Sequence, residues 1–448
     1  MKSILIISIC LGLIWGKLIA QGDVPSAQAF RGSLQGSQLL PSTLNLKSHK
    51  WQIDGGLSLW ASSTFFSNQV LFDLFKKNQE VYSPDINTAI DKLKYRNIAG
   101  TGTQVLQGIA FQVPIYGKNI SFSFGVNHKF GVNFGFSKNM LSLFWNGNKQ
   151  WAGQKVELTP FAVNGSFYRE FAFGAAGDVF KYKDLSIRAG GKFKLLQGLA
   201  AVYMPQARID LTTAATGEYL RFDYNYNISY AANENRNPFV SPSGSGAAVD
   251  LGLTFTYKNR INLDWGITDL GKINYKNNAE NIQNNKSFLY EGFDFTKLDG
   301  VSSTVYLDSL YTALGFDTPK PGSFKMPLGT RMTFQGSYSL SGEDDLKDKG
   351  KVFLTYIQGF KELPFSTRKA ALTMGYQKHF FKWLEFGFTA GMGGFTKYNF
   401  GMMAGIRSRD RFHLAISSVN LLGLMIPGIG HGVDFNAHLI WSFGTYKH

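Results

Sequence analysis

Residues 120–136 read ISFSFGVNHKFGVNFGF, and alternate side chains separate by polarity. Ile120, Phe122, Phe124, Val126, Phe130, Val132, Phe134 and Phe136 share one parity; Ser121, Ser123, Gly125, Asn127, Lys129, Gly131, Asn133 and Gly135 share the other. A period of two is the mark of a β-strand with one oily and one wet face. Only His128 interrupts the oily face. The run is also roughly three times the usual strand of 5–6 residues.

The pattern recurs. Val249, Leu251, Leu253, Phe255 and Tyr257 alternate with Asp250, Gly252, Thr254 and Thr256; Ile261, Leu263, Trp265 and Ile267 alternate with Asn262, Asp264, Gly266 and Thr268. Leu220 to Tyr230 and Val433 to Gly444 repeat it, and further strands are expected to start near Trp51, Gln104, Ala162, Leu185, Gln206, Arg331, Lys351, Lys369, Leu384, Asn399 and Arg411. About 14 to 16 strands result. Short basic turns (117–119, 181–184, 258–260, 381–382, 407–411) alternate with long segments (67–101, 137–160, 231–246, 276–325), as in transmembrane barrels with short periplasmic turns and long extracellular loops. Helical spacing predicts short helices over 83–97, 138–145 and 303–314 within the long loops, the first with Ser83 as N-cap and Pro84 in its first turn.

Residues 1–20 form a secretory signal peptide: Lys2, an apolar stretch from Ile4 to Trp15, and Leu18-Ile19-Ala20 before the cut. Lys17 interrupts the stretch, which is short for a spanning helix. The one cysteine, Cys10, lies in this leader, and Ile9 before it is too large for a lipoprotein signal. The exported chain is then free of thiol and disulfide chemistry. No later apolar stretch reaches the ~18 residues of a spanning helix. In hydrocarbon every backbone N–H and C=O must be paired within the protein, which leaves a closed sheet. The fold expected is therefore all-β: a transmembrane antiparallel barrel over residues 51–448, preceded by a periplasmic or plug segment over 21–50. Its apolar positions are rich in the chain's 39 phenylalanines, and its polar face in the 49 glycines. The formal charge of +15 falls to +13 without Lys2 and Lys17, and much of the excess sits in the short turns, where it can meet lipid phosphates or simply keep the turns soluble. Nucleic acid is not an expected partner, because no clustered basic helix is present.

Four stretches, LKYRNIAGTG (93–102), FSKNMLSLFWNGN (136–148), FYREFAFG (167–174) and IRAGGKFKLLQGLAAVY (187–203), make the chain resemble a large family of uncharacterised outer-membrane barrels of Bacteroidota, distantly similar to the long-chain fatty-acid transporter type. The resemblance covers most of the chain after residue 50. It implies a barrel of about 14 strands in the cell outer membrane. The leader is expected to route the chain through the Sec pathway and to be removed, and outer-membrane lipid and lipopolysaccharide are the expected surroundings. The resemblance supplies no catalytic residues. Barrels of this kind usually end on an aromatic residue, whereas Lys447 and His448 follow Tyr446 here, so Phe443 or Tyr446 would close the last strand.

The sequence offers no convincing catalytic constellation. His413 and Ser417, like His438 and Ser442, share a strand face but stand four residues apart, ~13 Å along a strand. His431, Asp434 and His438 fit no strong metal spacing. The acidic run 342–350 lacks the ligand positions of a calcium loop and reads as a solvated turn. No enzyme, cofactor or metal is expected. The lumen face is more informative: Lys129, Glu170, Arg188, Lys192, Lys194, Arg208, Asp210, Arg221, Asp223, Asp250, Asp264 and Arg331 are the candidate lining. They suit either a charged passage for a polar or amphipathic solute or a mutually neutralised, plugged lumen. The function expected is admission or transport of a small or hydrophobic solute. The alternative is a non-conducting docking subunit of a secretion or barrel-assembly complex. As for His128, a tilted strand crosses in ~9–11 residues. A strand starting at Ile120 has then crossed by about Phe130, which puts His128 at the outer interface and points Lys129 inward.

Overall fold

The computed structural model describes residues 30–46, 49–64, 67–69, 87–88, 90–91, 93, 96–116, 118–232, 241–290, 319–341, 349–381, 383–396, 398–408 and 411–445. The leader, the 303–314 helix, most of the 83–97 helix, most of the acidic run 342–350, and Tyr446 lie outside them. The strands are β1 (His49–Ser63), β2 (Arg96–Ile115), β3 (Lys118–Ser137), β4 (Lys155–Glu157), β5 (Ala162–Tyr182), β6 (Leu185–Thr213), β7 (Leu220–Ala232), β8 (Gly244–Tyr257), β9 (Ile261–Tyr275) and β10 (Ala279–Tyr290). They continue with β11 (Lys320–Pro321), β12 (Phe324–Pro327), β13 (Arg331–Ser339), β14 (Lys351–Gly359), β15 (Ala371–Phe381), β16 (Leu384–Gly393), β17 (Tyr398–Ser408), β18 (Phe412–Ser418) and β19 (Gly432–Thr445). Helix α1 (Lys138–Asn146) follows β3, capped by Ser137, whose hydroxyl accepts from the Met140 amide at 3.0 Å; α2 (Leu421–Met425) lies between β18 and β19.

Fourteen strands close a ring: β1, β2, β3, β5, β6, β8, β9, β13 to β19, and back to β1, each pair antiparallel. Closure pairs the backbone polar groups that an open edge would leave bare to lipid. Burial runs opposite to a soluble sheet. On β3, Ser121 and Asn127 are 0% exposed, whereas Phe130 is 45% exposed; on β6, Lys194 is buried and its neighbours Phe193 and Leu195 are exposed. Such a surface is unfavourable in water and favourable in hydrocarbon. At the short-turn end it finishes in exposed aromatics, among them Trp51, Tyr182, Tyr257, Trp383 and Trp441. The Lys183 and Lys258 ammonium groups stand 5.3 and 5.5 Å from the Tyr182 and Tyr257 rings, the mix of aromatic and basic groups that suits a lipid headgroup layer. The Lys258-Asn259 turn has φ of 49° and 50°, both positive as a tight hairpin of this hand requires.

His128 faces outward, ten residues beyond the start of β3 at Lys118, and its Nε2 accepts a hydrogen bond from Arg169 Nε at 2.9 Å. The length of β3 is that of a crossing plus a stalk leading to α1. Two strand expectations need correction. The strand expected near Gln206 is the upper half of β6, which runs unbroken through 29 residues with a register shift between Tyr203 and Gln206. Leu220 to Tyr230 belongs to β7, which is not in the ring. The lower half of β6 pairs with β8 and its upper half with β7; β4, upper β6, β7, β10 and β11 form an extension beyond the long-loop rim.

Candidate functional site

The lumen is filled from both ends. At the short-turn end, residues 30–46 fold into it as a compact plug. Its sequence, FRGSLQGSQLLPSTLNL, satisfies much of its own polarity: the hydroxyls of Ser33, Ser37 and Thr43 donate to the carbonyls of Phe30, Leu34 and Leu40. Leu34, Leu39, Leu40 and Leu44 are fully buried. The wall makes room with glycine. A Cβ at Gly190 would stand 2.6 Å from the Pro41 carbonyl oxygen, and one at Gly252 3.1 Å from the Pro41 ring. Polar clamps hold the plug: Arg31 forks onto both Asp264 oxygens at 2.5 and 2.7 Å, the Gln35 amide donates to Asp54 at 3.1 Å, and Arg188 donates to the Leu44 carbonyl at 2.7 Å.

Above the plug lies a layer of buried charge. Lys129 Nζ is 3.1 Å from Glu170 and 3.4 Å from Asp269; Lys194 Nζ is 2.6 Å from Asp250, 2.7 Å from Asp269 and 3.8 Å from Glu170. Lys192 is buried beside them, with no hydrogen-bond partner for its ammonium among the described residues. Arg331 Nε donates to Thr268 at 3.4 Å. Of the candidate lining, the ring thus brings Lys129, Glu170, Lys192, Lys194, Asp250 and Arg331 towards one layer, and places Arg188 and Asp264 against the plug.

Asp210, Arg221, Asp223 and Arg208 lie elsewhere, on the extension, so they do not line the lumen. Lys155 Nζ bridges Asp210 at 3.2 Å and Asp223 at 3.3 Å; Arg221 and Arg208 sit 2.9 and 3.3 Å from Asp223 and Asp210. Hydrogen bonds from the Ser287 hydroxyl, then from Arg221 and Lys155, hold the Asp223 carboxyl down to about 2. The same carboxylates raise the Lys155 ammonium.

Two residues central to the closure escaped the alternation. Asp269 has the parity of Ile267 and Trp265, the outward face. A bulge (φ 59°) turns it inward, and its amide donates to Asp250 at 2.7 Å. An acid at an outward position, two residues before Gly271, was the available signal. Arg31 lies in a stretch with no period at all.

At the long-loop end the β14–β15 connection folds into the mouth. Leu363 is buried, Phe365 packs edge-on to Trp60 at 5.9 Å, and Trp60 meets Phe395 at 5.2 Å. A Cβ at Gly131 would lie 2.8 Å from the Phe365 ring. Burial pushes the Glu362 carboxyl up, against hydrogen bonds from Thr367 and Arg368. Beside this lid lies a cavity of ≈590 Å³, floored by Ile98, Phe134, Phe161, Tyr203, Met204 and Leu363 and edged by Asn133, Asn164, Arg208, Asn225, Lys361, Glu362 and Arg368. His413 and His438 flank the Phe30 ring at 4.5 and 5.4 Å, and Asp434 accepts from the Val419 and Asn420 amides, ordering the β18–β19 connection. No cluster of three potential metal ligands occurs among the described residues.

These features define a membrane-spanning β-barrel whose lumen is closed by its own N-terminal segment and an inward loop, with a charge layer on the wall between them. The chain belongs to the family of unknown function (DUF5723), whose model matches residues 45–416. No curated protein matches it. Among solved structures it is similar to a TodX deltaS2S3 mutant, a monoaromatic hydrocarbon channel (9% identity, 92% of this chain and 94% of that one, TM-score 0.45). It is also similar to a Pseudomonas aeruginosa FadL homologue (10%, 95% and 98%, TM-score 0.38), and to the translocator domain of the autotransporter NalP from Neisseria meningitidis (9%, 94% and 98%, TM-score 0.34). At these scores the likeness carries no inference about cargo.

Proposed function

We propose that this is an outer-membrane barrel that captures a small, largely apolar solute at its long-loop mouth, on the cell exterior, and admits it through a gated lumen. The cavity beside the lid carries this reading. Its ≈590 Å³ falls within the ~300–1,000 Å³ of small-molecule sites, and it joins an apolar floor to a polar, partly cationic edge, a make-up that suits a solute with an apolar body and a polar end. Cavity and lid share residues: the Glu362 carbonyl accepts from Asn164 at 3.4 Å, and Leu363 belongs to both. A lid that moves to open the lumen therefore reshapes the cavity. The plug is seated on glycines and held by a few polar clamps, an arrangement suited to release. This filling argues against an always-open pore.

The test is binding of an apolar fluorescent probe, N-phenyl-1-naphthylamine, to the protein in nanodiscs. Saturable binding is expected, and Ala162→Trp, which fills the cavity from its wall, should abolish it while leaving heat-modifiable migration intact. Binding that survives Ala162→Trp, or no saturable binding in the unaltered chain, refutes the capture site.

A further inference from the structure

We infer that the short-turn mouth carries a binding site for a small oxyanion of the phosphate or carboxylate type. A second cavity, ≈190 Å³, lies in the seam between plug and ring. Arg31 reaches it from the plug, Arg407 from the end of β17, and Arg411 from the turn before β18; Ser33, Asn45, His49, Gln52, His413 and Ser442 make up the rest of the polar wall. The lining contains three guanidinium groups and no carboxylate.

The acids that stand behind this wall are already engaged. Asp264 takes both Arg31 nitrogens at 2.5 and 2.7 Å. Glu385 is 3.2 Å from His413 Nε2, 3.4 Å from His379 Nε2 and 3.8 Å from Arg407 Nη2, and it also accepts from Gln377. Asp264 answers Arg31 and Glu385 meets Arg407, and neither of these two acids lies within salt-bridge distance of Arg411. Three arginines from three separate elements converging on one cavity repel one another, and an anion between them relieves that repulsion. The planar forks of Arg407 and Arg411 carry paired N–H donors of the kind that match two oxygens on one centre, while the Arg31 fork is taken by Asp264. A phosphate or a small carboxylate fits within the ≈190 Å³. Because one arginine belongs to the plug and two to the ring, an oxyanion here would span the joint between them.

The inference is independent of the capture site at the opposite mouth. It is tested by calorimetric titration of inorganic phosphate into the full chain in phosphatidylcholine nanodiscs at low salt. One saturable site per chain is expected. Affinity should fall at least tenfold in Arg407→Gln/Arg411→Gln and stay unchanged in Lys155→Met on the extension. No saturable binding, or equal affinity in the double variant with normal heat-modifiable migration, overturns the site. If the double variant does not fold, Arg411→Gln alone, at an exposed turn, decides: about a threefold loss is expected, and no loss overturns the site. Discs containing phosphatidylglycerol separate the sources. Loss of phosphate binding there assigns the site to a lipid headgroup; unchanged binding assigns it to a free anion.

Discussion

The molecule carries two charge clusters built from the same kinds of side chain at similar distances, and solvent separates them. In the lumen, Lys194 meets Asp250 at 2.6 Å with side chains 1% and 0% exposed. On the extension, Lys155 meets Asp210 at 3.2 Å, but its own side chain is 53% exposed. In the first, each charge has left water and depends on its partners; removing one leaves the others buried and unanswered. In the second, water replaces whatever is lost, and salt screens the rest. A contact distance alone therefore says little about what an ion pair holds together.

The largest effect should come from Lys194→Met. It strips Asp250 and Asp269 of a shared cation, at a cost of about 3–5 kcal/mol for a broken buried pair. The temperature at which the folded band disappears in a heat-modifiability gel should drop sharply. An unchanged temperature would mean that the lumen cluster is as solvated as the extension. Next is the plug. Gly190→Val forces a side chain into the Pro41 backbone, an overpacking of about 1–3 kcal/mol. The plug should lift, and trypsin, which spares Arg31 while it is clamped to Asp264, should then cut after it. Continued protection would show that the glycine seat is not required.

A smaller effect belongs to the lid. Burial raises the Glu362 carboxyl in the folded lid, so protonation favours the closed form. Closure is then fully favoured below the ordinary carboxylate range, about 4.3, and that contribution is lost as pH rises through the raised value. Fluorescence of a label at the lid tip should report looser packing as pH rises, and Glu362→Gln should flatten the response. The smallest effect is Lys155→Met, which should leave the folded-band temperature unmoved. A loss comparable to Lys194→Met would erase the contrast between the two clusters.

The barrel was legible because its period of two is written into nearly every strand, and because a polar face carrying Lys129, Glu170 and Asp250 cannot be a soluble core. Alternation reports only that a strand has two unlike faces, and β7 shows the limit. Leu220 and Phe222 alternate with Arg221 and Asp223, yet they pack with Met140, Leu158 and Leu211 on the extension instead of meeting lipid. Parity failed at Asp269 for a different reason: one residue with φ of 59° shifts the face of everything around it. The plug's contacts were unreadable because it has no period; its polar groups are satisfied by its own turns and by wall residues more than two hundred positions away, as in Arg31 with Asp264.

Conductance across a planar bilayer tests most directly the claim that the lumen is closed by two removable segments. The full chain should be silent. A chain lacking residues 30–46, with 361–368 replaced by a short glycine-serine link, should conduct in discrete steps. Steps from the full chain, or silence from the relieved chain when its heat-modifiable migration is normal, would contradict the account.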